Sequence, residues 1–170
     1  MASREPAEFQ PKPILRKLLE HKVDFVLIGG LAGMAHGSSY PSYDVDIVYA
    51  RAEENLERLA SSLRELQVTL RGAPPDVPFQ LDARTLKSGA HFTFDTQFGS
   101  LDILTDPDGA PSYDKLKVAA GAPVEFEGEL ILVASLDHLI AMKEAAGRTK
   151  DKLMATEYRV LSDELRAPKA

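Results

Sequence analysis

Asp44 and Asp46 stand two apart in Tyr43-Asp-Val-Asp-Ile-Val-Tyr49, an apolar run that directs both acids to one face if it is a strand. Two carboxylates held within a few Å of each other repel. One of them must take up a proton unless a hard cation such as Mg²⁺ or Mn²⁺ neutralises the pair. Upstream, Phe25-Val-Leu-Ile-Gly-Gly30 sets a glycine pair after an apolar strand and before Leu31-Ala-Gly-Met-Ala35, which reads as a helix opening. Backbone N–H groups at such a turn bind phosphate well. A glycine turn at Gly29 and Gly30, one strand away from paired acids, suits a metal-bound triphosphate. The competing reading is a solvated strand edge whose two charges discourage pairing with another chain.

Context separates this D-x-D from chance, because 26 acidic residues in 170 make the bare spacing common. A second copy, Asp106-Pro-Asp108, sits beside Pro107 and Gly109 without the further ligands of a calcium loop, and reads as turn chemistry. His21, His36, His91 and His138 show no H-x-x-x-H spacing, which argues against a zinc site built on histidine. His36, just before Gly37, fits a helix C-terminus. Alternation puts His91 with Thr93 and Asp95, opposite Phe92 and Phe94; it is a polar-face residue, with a catalytic role as the alternative.

The elements that hold these residues alternate as in an α/β (α+β) protein with a mixed sheet flanked by helices. Pro13 can open a helix over residues 14–20, with Ile14, Leu15, Leu18 and Leu19 as its apolar face. A strand over 25–28, a helix over 31–36 and a strand over 44–49 follow. Leu56, Leu59, Ala60, Leu63 and Leu66 mark an amphipathic helix over 53–66. After a short strand over 68–70, Gly72-Ala-Pro-Pro-Asp-Val-Pro78 must be a loop. Residues 90–96 and 100–104, joined through Gln97-Phe-Gly99, read as a hairpin with Asp102 on its second strand. A helix over 113–120, a second hairpin turning at Gly128, and a final helix capped by Ser135 complete the chain. In that helix Leu136, Leu139, Ile140 and Met142 make the buried side. Lys143 adjoins it, and Arg148, Lys150 and Lys152 follow the break at Gly147, where a snorkelling lysine and a solvated basic turn compete with a functional role.

Length supports one compact unit, since 170 residues bury roughly 70% of the unfolded surface without staples. Residues 1–22 are read as a tail and first helix, 23–165 as the domain and 166–170 as a tail. The lack of cysteine excludes disulfides and thiolate catalysis. Met1-Ala-Ser-Arg-Glu-Pro-Ala-Glu8 has no signal-peptide core, and no apolar run approaches a membrane span, so no membrane partner and a cytoplasmic location are expected. A net charge of −6 argues against broad non-specific nucleic-acid binding.

The order of strand, Gly-Gly, helix and D-x-D strand resembles the nucleotidyltransferase superfamily that includes DNA polymerase β, especially its small bacterial members related to abortive-infection toxins. In that superfamily a third carboxylate lies on a later strand, and Gly99-Ser-Leu-Asp-Ile-Leu104 supplies Asp102. The ending Ser135-Leu-Asp-His-Leu-Ile-Ala-Met-Lys143 with Ala145-Ala-Gly-Arg-Thr-Lys-Asp151 is also similar to those members, so the likeness spans residues 23–165. Two positions depart from it. Gly30 stands where members often carry a phosphate-contacting Ser, and Tyr40 where many carry an Arg, four residues before the first Asp.

The resemblance implies transfer of a nucleoside monophosphate from an NTP to a hydroxyl-bearing acceptor (protein, tRNA or small molecule), with release of pyrophosphate. Asp44, Asp46 and Asp102 would be the catalytic carboxylates and the ligands of two Mg²⁺ (or Mn²⁺) ions, with Asp102 assisting acceptor deprotonation. Gly29 and Gly30 would meet the phosphates, Lys143 would offset developing charge, and Arg148, Lys150 and Asp151 would position the last helix or the acceptor. Tyr40, the proline loop, the last helix or a partner would hold the acceptor. Two alternatives stand beside an autonomous enzyme: a toxin-like subunit working with an antitoxin or other protein partner, and a non-catalytic nucleotide-binding module.

Overall fold

The structure, a computed structural model, describes residues 8–74 and 76–168; the segment 1–7, for which no signal-peptide core is expected, lies outside them. Pro11 takes the first position of α1 (Pro11–Glu20), one turn earlier than Pro13 suggests, and the fixed φ of proline suits that place. Ile14, Leu15 and Leu18 of α1 are wholly buried. The chain continues through β1 (Phe25–Ile28), α2 (Gly29–Ala35), β2 (Asp44–Tyr49), α3 (Glu53–Glu65), β3 (Thr69–Leu70) and α4 (Ala83–Ser88). It then forms β4 (His91–Thr96), β5 (Gly99–Leu104), α5 (Tyr113–Ala120), β6 (Val124–Phe126), β7 (Glu129–Ile131), α6 (Leu136–Ala146) and α7 (Thr149–Arg166).

Five strands make one mixed sheet in the order β1-β2-β5-β4-β3, in which only β2 and β5 run parallel. One sheet face is closed. Val45, Ile47 and Tyr49 of β2, Leu101 and Ile103 of β5, and Phe94 of β4 alternate onto it and are fully buried. The Tyr49 hydroxyl donates to the Leu86 carbonyl at 3.3 Å, tying α4 beneath this face. The opposite face carries Asp44, Asp46, Ser100, Asp102, His91 and Thr93, and it is the face on which the polar residues gather. β6 and β7 form a separate two-stranded sheet. The chain after them runs beside β1, with Leu27 N donating to Leu132 O at 2.8 Å and Ala134 N to Leu27 O at 2.9 Å.

Two helices differ from the sequence expectation. α4 is a six-residue helix in a stretch to which the sequence assigns no element, started by Asp82, whose carboxylate accepts from Thr85 N at 2.8 Å. More consequential is α7, 18 residues long, where the sequence suggested that the helix capped by Ser135 was the last. Gly147 breaks α6 with φ +70, and Arg148 then opens α7 by a reciprocal cap: Asp151 accepts from Arg148 N, and the Arg148 side chain is held in turn. The basic run is therefore a helix N-terminus, with Arg148, Lys150 and Lys152 exposed as a solvated run would be. Met154, Ala155 and Tyr158 bury α7 against the body, with Tyr158 lying against Gly33 of α2. Further along, Glu157 accepts from Ser39 N at 3.1 Å and from Ser39 Oγ at 2.7 Å, pinning the segment that enters β2. No helix among the described residues is long and apolar enough to cross a membrane.

Candidate active site

The parallel register of β2 and β5 sets Asp46 directly beside Asp102, although 56 positions separate them in sequence, and sets Asp44 beside Ser100. Asp46 feels the consequence. Its pKa is pushed up to about 7, first by burial, then by the charges of Asp102 and Asp44, with Lys143 opposing and a hydrogen bond to Asp102 adding to the rise. A carboxyl with this pKa is about half protonated at neutral pH.

Gly29 closes the site from above. Its φ of +72 is the left-handed region that glycine adopts freely, and a Cβ at this position would overlap the Asp46 carboxylate. Gly30 has a different neighbour: a Cβ there would lie 2.7 Å from Ser42 Cβ and 2.8 Å from Ser42 Oγ. That contact explains the departure from serine at position 30, because Ser42 already fills the space.

The turn and the carboxylates open on a cleft of about 660 Å³. Gly29, Gly30, Asp44, Asp46, Asp102 and Lys143, the residues singled out from the sequence, all line it. Leu139, Met142 and Ala146 of α6 with Met154 of α7 supply an apolar wall. His91, Arg148 and Lys150 also line the cleft, whereas His36 does not serve it: its Nε2 lies 2.8 Å from Ala134 O, a structural bond at the end of α2. Tyr40 packs against the core, and its neighbours Pro41, Ser42 and Tyr43 face the cleft. In the second D-x-D, Asp106 accepts from Thr105 Oγ1 at 3.1 Å and Ala110 N donates to Pro107 O at 3.1 Å, as in a turn, while Asp108 reaches the cleft.

Lys143 is held by Asp151, which is 1% exposed: Lys143 Nζ lies 3.4 Å from Asp151 Oδ1, and Arg148 Nε lies 2.7 Å from Oδ2. The Arg148 hydrogen bond keeps Asp151 below the usual carboxylate range against the effect of burial, and Lys143 adds to it. The buried cap of α7 thus holds Lys143 in the cleft wall, close enough for its charge to act on Asp46.

Arg71, which the sequence reading passed over, donates from Nη2 to Asp102 Oδ1 at 2.7 Å. Its only sequence signal is alternation with Thr69, one residue past the end of the two-residue strand β3.

Among the described residues no three His, Asp or Glu side chains form a ready-made metal group. The donors are nonetheless carboxylate oxygens of the kind that suit Mg²⁺ or Mn²⁺, and the like charges of Asp44 and Asp102 around Asp46 are of the sign that such an ion offsets.

The sequence matches no protein family model and no curated protein. Two solved structures share its architecture. The Thermotoga maritima protein TM1012, which carries a provisional nucleotidyltransferase assignment, is 20% identical with a TM-score of 0.52, over 95% of this chain and 99% of that one. The lincosamide antibiotic adenylyltransferase LnuA, determined with lincomycin bound, is 13% identical with a TM-score of 0.61, over 91% of this chain and 99% of that one. At these identities the likeness is one of fold, and it extends over nearly the whole chain. By its sheet order, its glycine turn and these two neighbours, the chain has the nucleotidyltransferase fold.

Proposed function

We propose that the protein is a metal-dependent nucleotidyltransferase that moves a nucleoside monophosphate from an NTP to a small hydroxyl-bearing molecule. The observation that carries this reading is the pairing of Asp46 with Asp102 beside Gly29, which sets like charges together, offset in part by Lys143, next to a glycine turn that opens a helix. Mg²⁺ or Mn²⁺, held by Asp44, Asp46 and Asp102, would offset the charge that builds between the attacking and leaving oxygens. Gly29 and Gly30 offer backbone donors to the triphosphate. Lys143, held by Asp151, balances charge on the departing pyrophosphate. The acceptor hydroxyl attacks the α-phosphorus; the new O–P bond forms as the bond to pyrophosphate breaks, and the hydroxyl proton passes by way of Asp102 to water.

A small acceptor is favoured by the size of the cleft, about 660 Å³, and by its apolar wall, both usual for small-molecule sites. LnuA, whose structure contains lincomycin, supports the same class. The net charge of −6 speaks against an RNA acceptor. Incubation with each α-labelled NTP, Mg²⁺ and a fractionated cell extract tests the reading. Label should appear in the small-molecule fraction and be absent with Asp46→Asn. Label confined to protein or RNA overturns the acceptor class, and no transfer from any NTP overturns the activity.

A further inference from the structure

Arg71 follows β3 at the sheet edge, where its backbone N donates to Thr93 O at 3.0 Å. From there the guanidinium lies across β4. Nη2 donates to Phe94 O at 3.0 Å and to Asp102 Oδ1 at 2.7 Å, and Nε donates to Asp95 Oδ1 at 3.3 Å. Asp102 is therefore flanked on the β2 side by Asp46 and on the β4 side by a fixed cation. The limb to Asp95, whose side chain is 52% exposed, is an ordinary surface ion pair. The limb to Asp102, 18% exposed, is shielded and is anchored by the shared bond to a backbone carbonyl.

We propose that Arg71 is the positioning residue of the site: it fixes the orientation of the Asp102 carboxylate beside Asp46, so that the two can take up a divalent cation together. The inference rests on the nucleotidyltransferase reading above. Left alone beside Asp46 and Asp44, the Asp102 side chain would turn away from like charges. Arg71 fixes it with one planar group that holds Oδ1 and a main-chain oxygen at once. A lysine can supply the charge but not that fork. Partners that orient metal-binding carboxylates typically contribute about 10–100-fold to metal affinity or activity.

Mn²⁺ binding, followed by the loss of the free-ion electron paramagnetic resonance signal, tests the proposal on the full chain, with thermal melts of each variant beside it. Arg71→Met should weaken Mn²⁺ binding by about 10–100-fold. Arg71→Lys should fall between that variant and the parent, and Asp95→Asn should change affinity by less than about threefold, as expected for a surface pair. Should Arg71→Met fail to fold, Arg71→Lys decides alone, a parent-like affinity counting against the proposal. Mn²⁺ affinity in Arg71→Met equal to or tighter than the parent's overturns it, the second result marking Arg71 as a competitor of the cation. A parent that binds Mn²⁺, and loses it in Asp46→Asn, upholds the underlying reading even when the Arg71 variants bind normally. A parent that takes up no Mn²⁺ overturns both.

Discussion

Gly29 and Asp46 are packed so closely that a methyl group at position 29 would overlap the carboxylate. The glycine is required twice over, by this contact and by its φ of +72. Gly29→Ala is expected to cost about 1–3 kcal/mol of stability and to displace Asp46. Melting and Mn²⁺ titration of the same variant read the two effects. A variant that loses stability but binds Mn²⁺ like the parent would show that Asp46 does not need the glycine turn above it.

Asp46 itself gives the fold a pH dependence of known sign. Its pKa of about 7 lies above the ordinary 3.8, so between these values the folded chain keeps a proton that the unfolded chain releases. The stability this group contributes is full below pH 3.8 and is lost as pH rises through about 7. Without metal, the stability of the parent relative to Asp46→Asn should fall across that window by on the order of a few kcal/mol. Mg²⁺ requires the ionised carboxylate and should reverse the trend in the parent alone, by roughly 2.7 kcal/mol at a hundredfold excess over Kd. Identical pH profiles for the two proteins, with and without Mg²⁺, would remove Asp46 from any metal role.

Asp151→Asn breaks a buried arrangement that serves both Lys143 and the start of α7. A loss of about 1–2 kcal/mol is expected, from the weakened cap of α7 and the lost partner of half-buried Lys143, while the exposed Arg148 turns to water. Since Asp151 titrates below the ordinary range, the parent should lose this increment as pH falls through that range, and the variant should not. Lys143→Met should spare the fold better and lower kcat/KM by about 10–100-fold, as expected for a charge aimed at the transition state. Combining the two should cost less stability than their sum, because they share one contact. Strict additivity in melts would separate Lys143 from Asp151.

Tyr158 gives a test in the opposite direction. Its hydroxyl is buried without a hydrogen-bond partner among the described residues, and burial raises its pKa to about 12. Tyr158→Phe removes the unpaired group without opening much space and should be neutral or stabilising by up to about 1 kcal/mol. A clear loss of stability would reveal a partner for the hydroxyl, such as a bound water.

The sequence showed the half of the site that is local. The apolar run ending in Gly29 and Gly30, and the alternation around Asp44 and Asp46, are written in consecutive residues, and the Asp102 strand repeats the pattern. The other half depends on distant partners. Arg71 meets Asp102 31 positions later, from the end of a two-residue strand too short to show periodicity. Asp151, which the resemblance assigns to positioning the last helix or the acceptor, reaches Lys143 because the chain beyond Gly147 resumes as a helix that the sequence does not announce. The length of α7 was obscured because its buried residues, Met154, Ala155 and Tyr158, are few and interspersed with charge. α4 is short enough that a single cap, Asp82, decides it.

Gly33 leaves no room for even a methyl group beneath Tyr158, so α7 cannot slide along α2. The first turn of the same helix forms part of the cleft wall, and Glu157 pins the segment that carries Pro41, Ser42 and Tyr43 on the other side. Substitutions at the mouth, at Lys150 or Tyr43 for example, can therefore reshape what enters while Gly29, Asp46 and Asp102 stay in place. The frame thus separates the part of the cleft that would select a ligand from the part that holds the carboxylates.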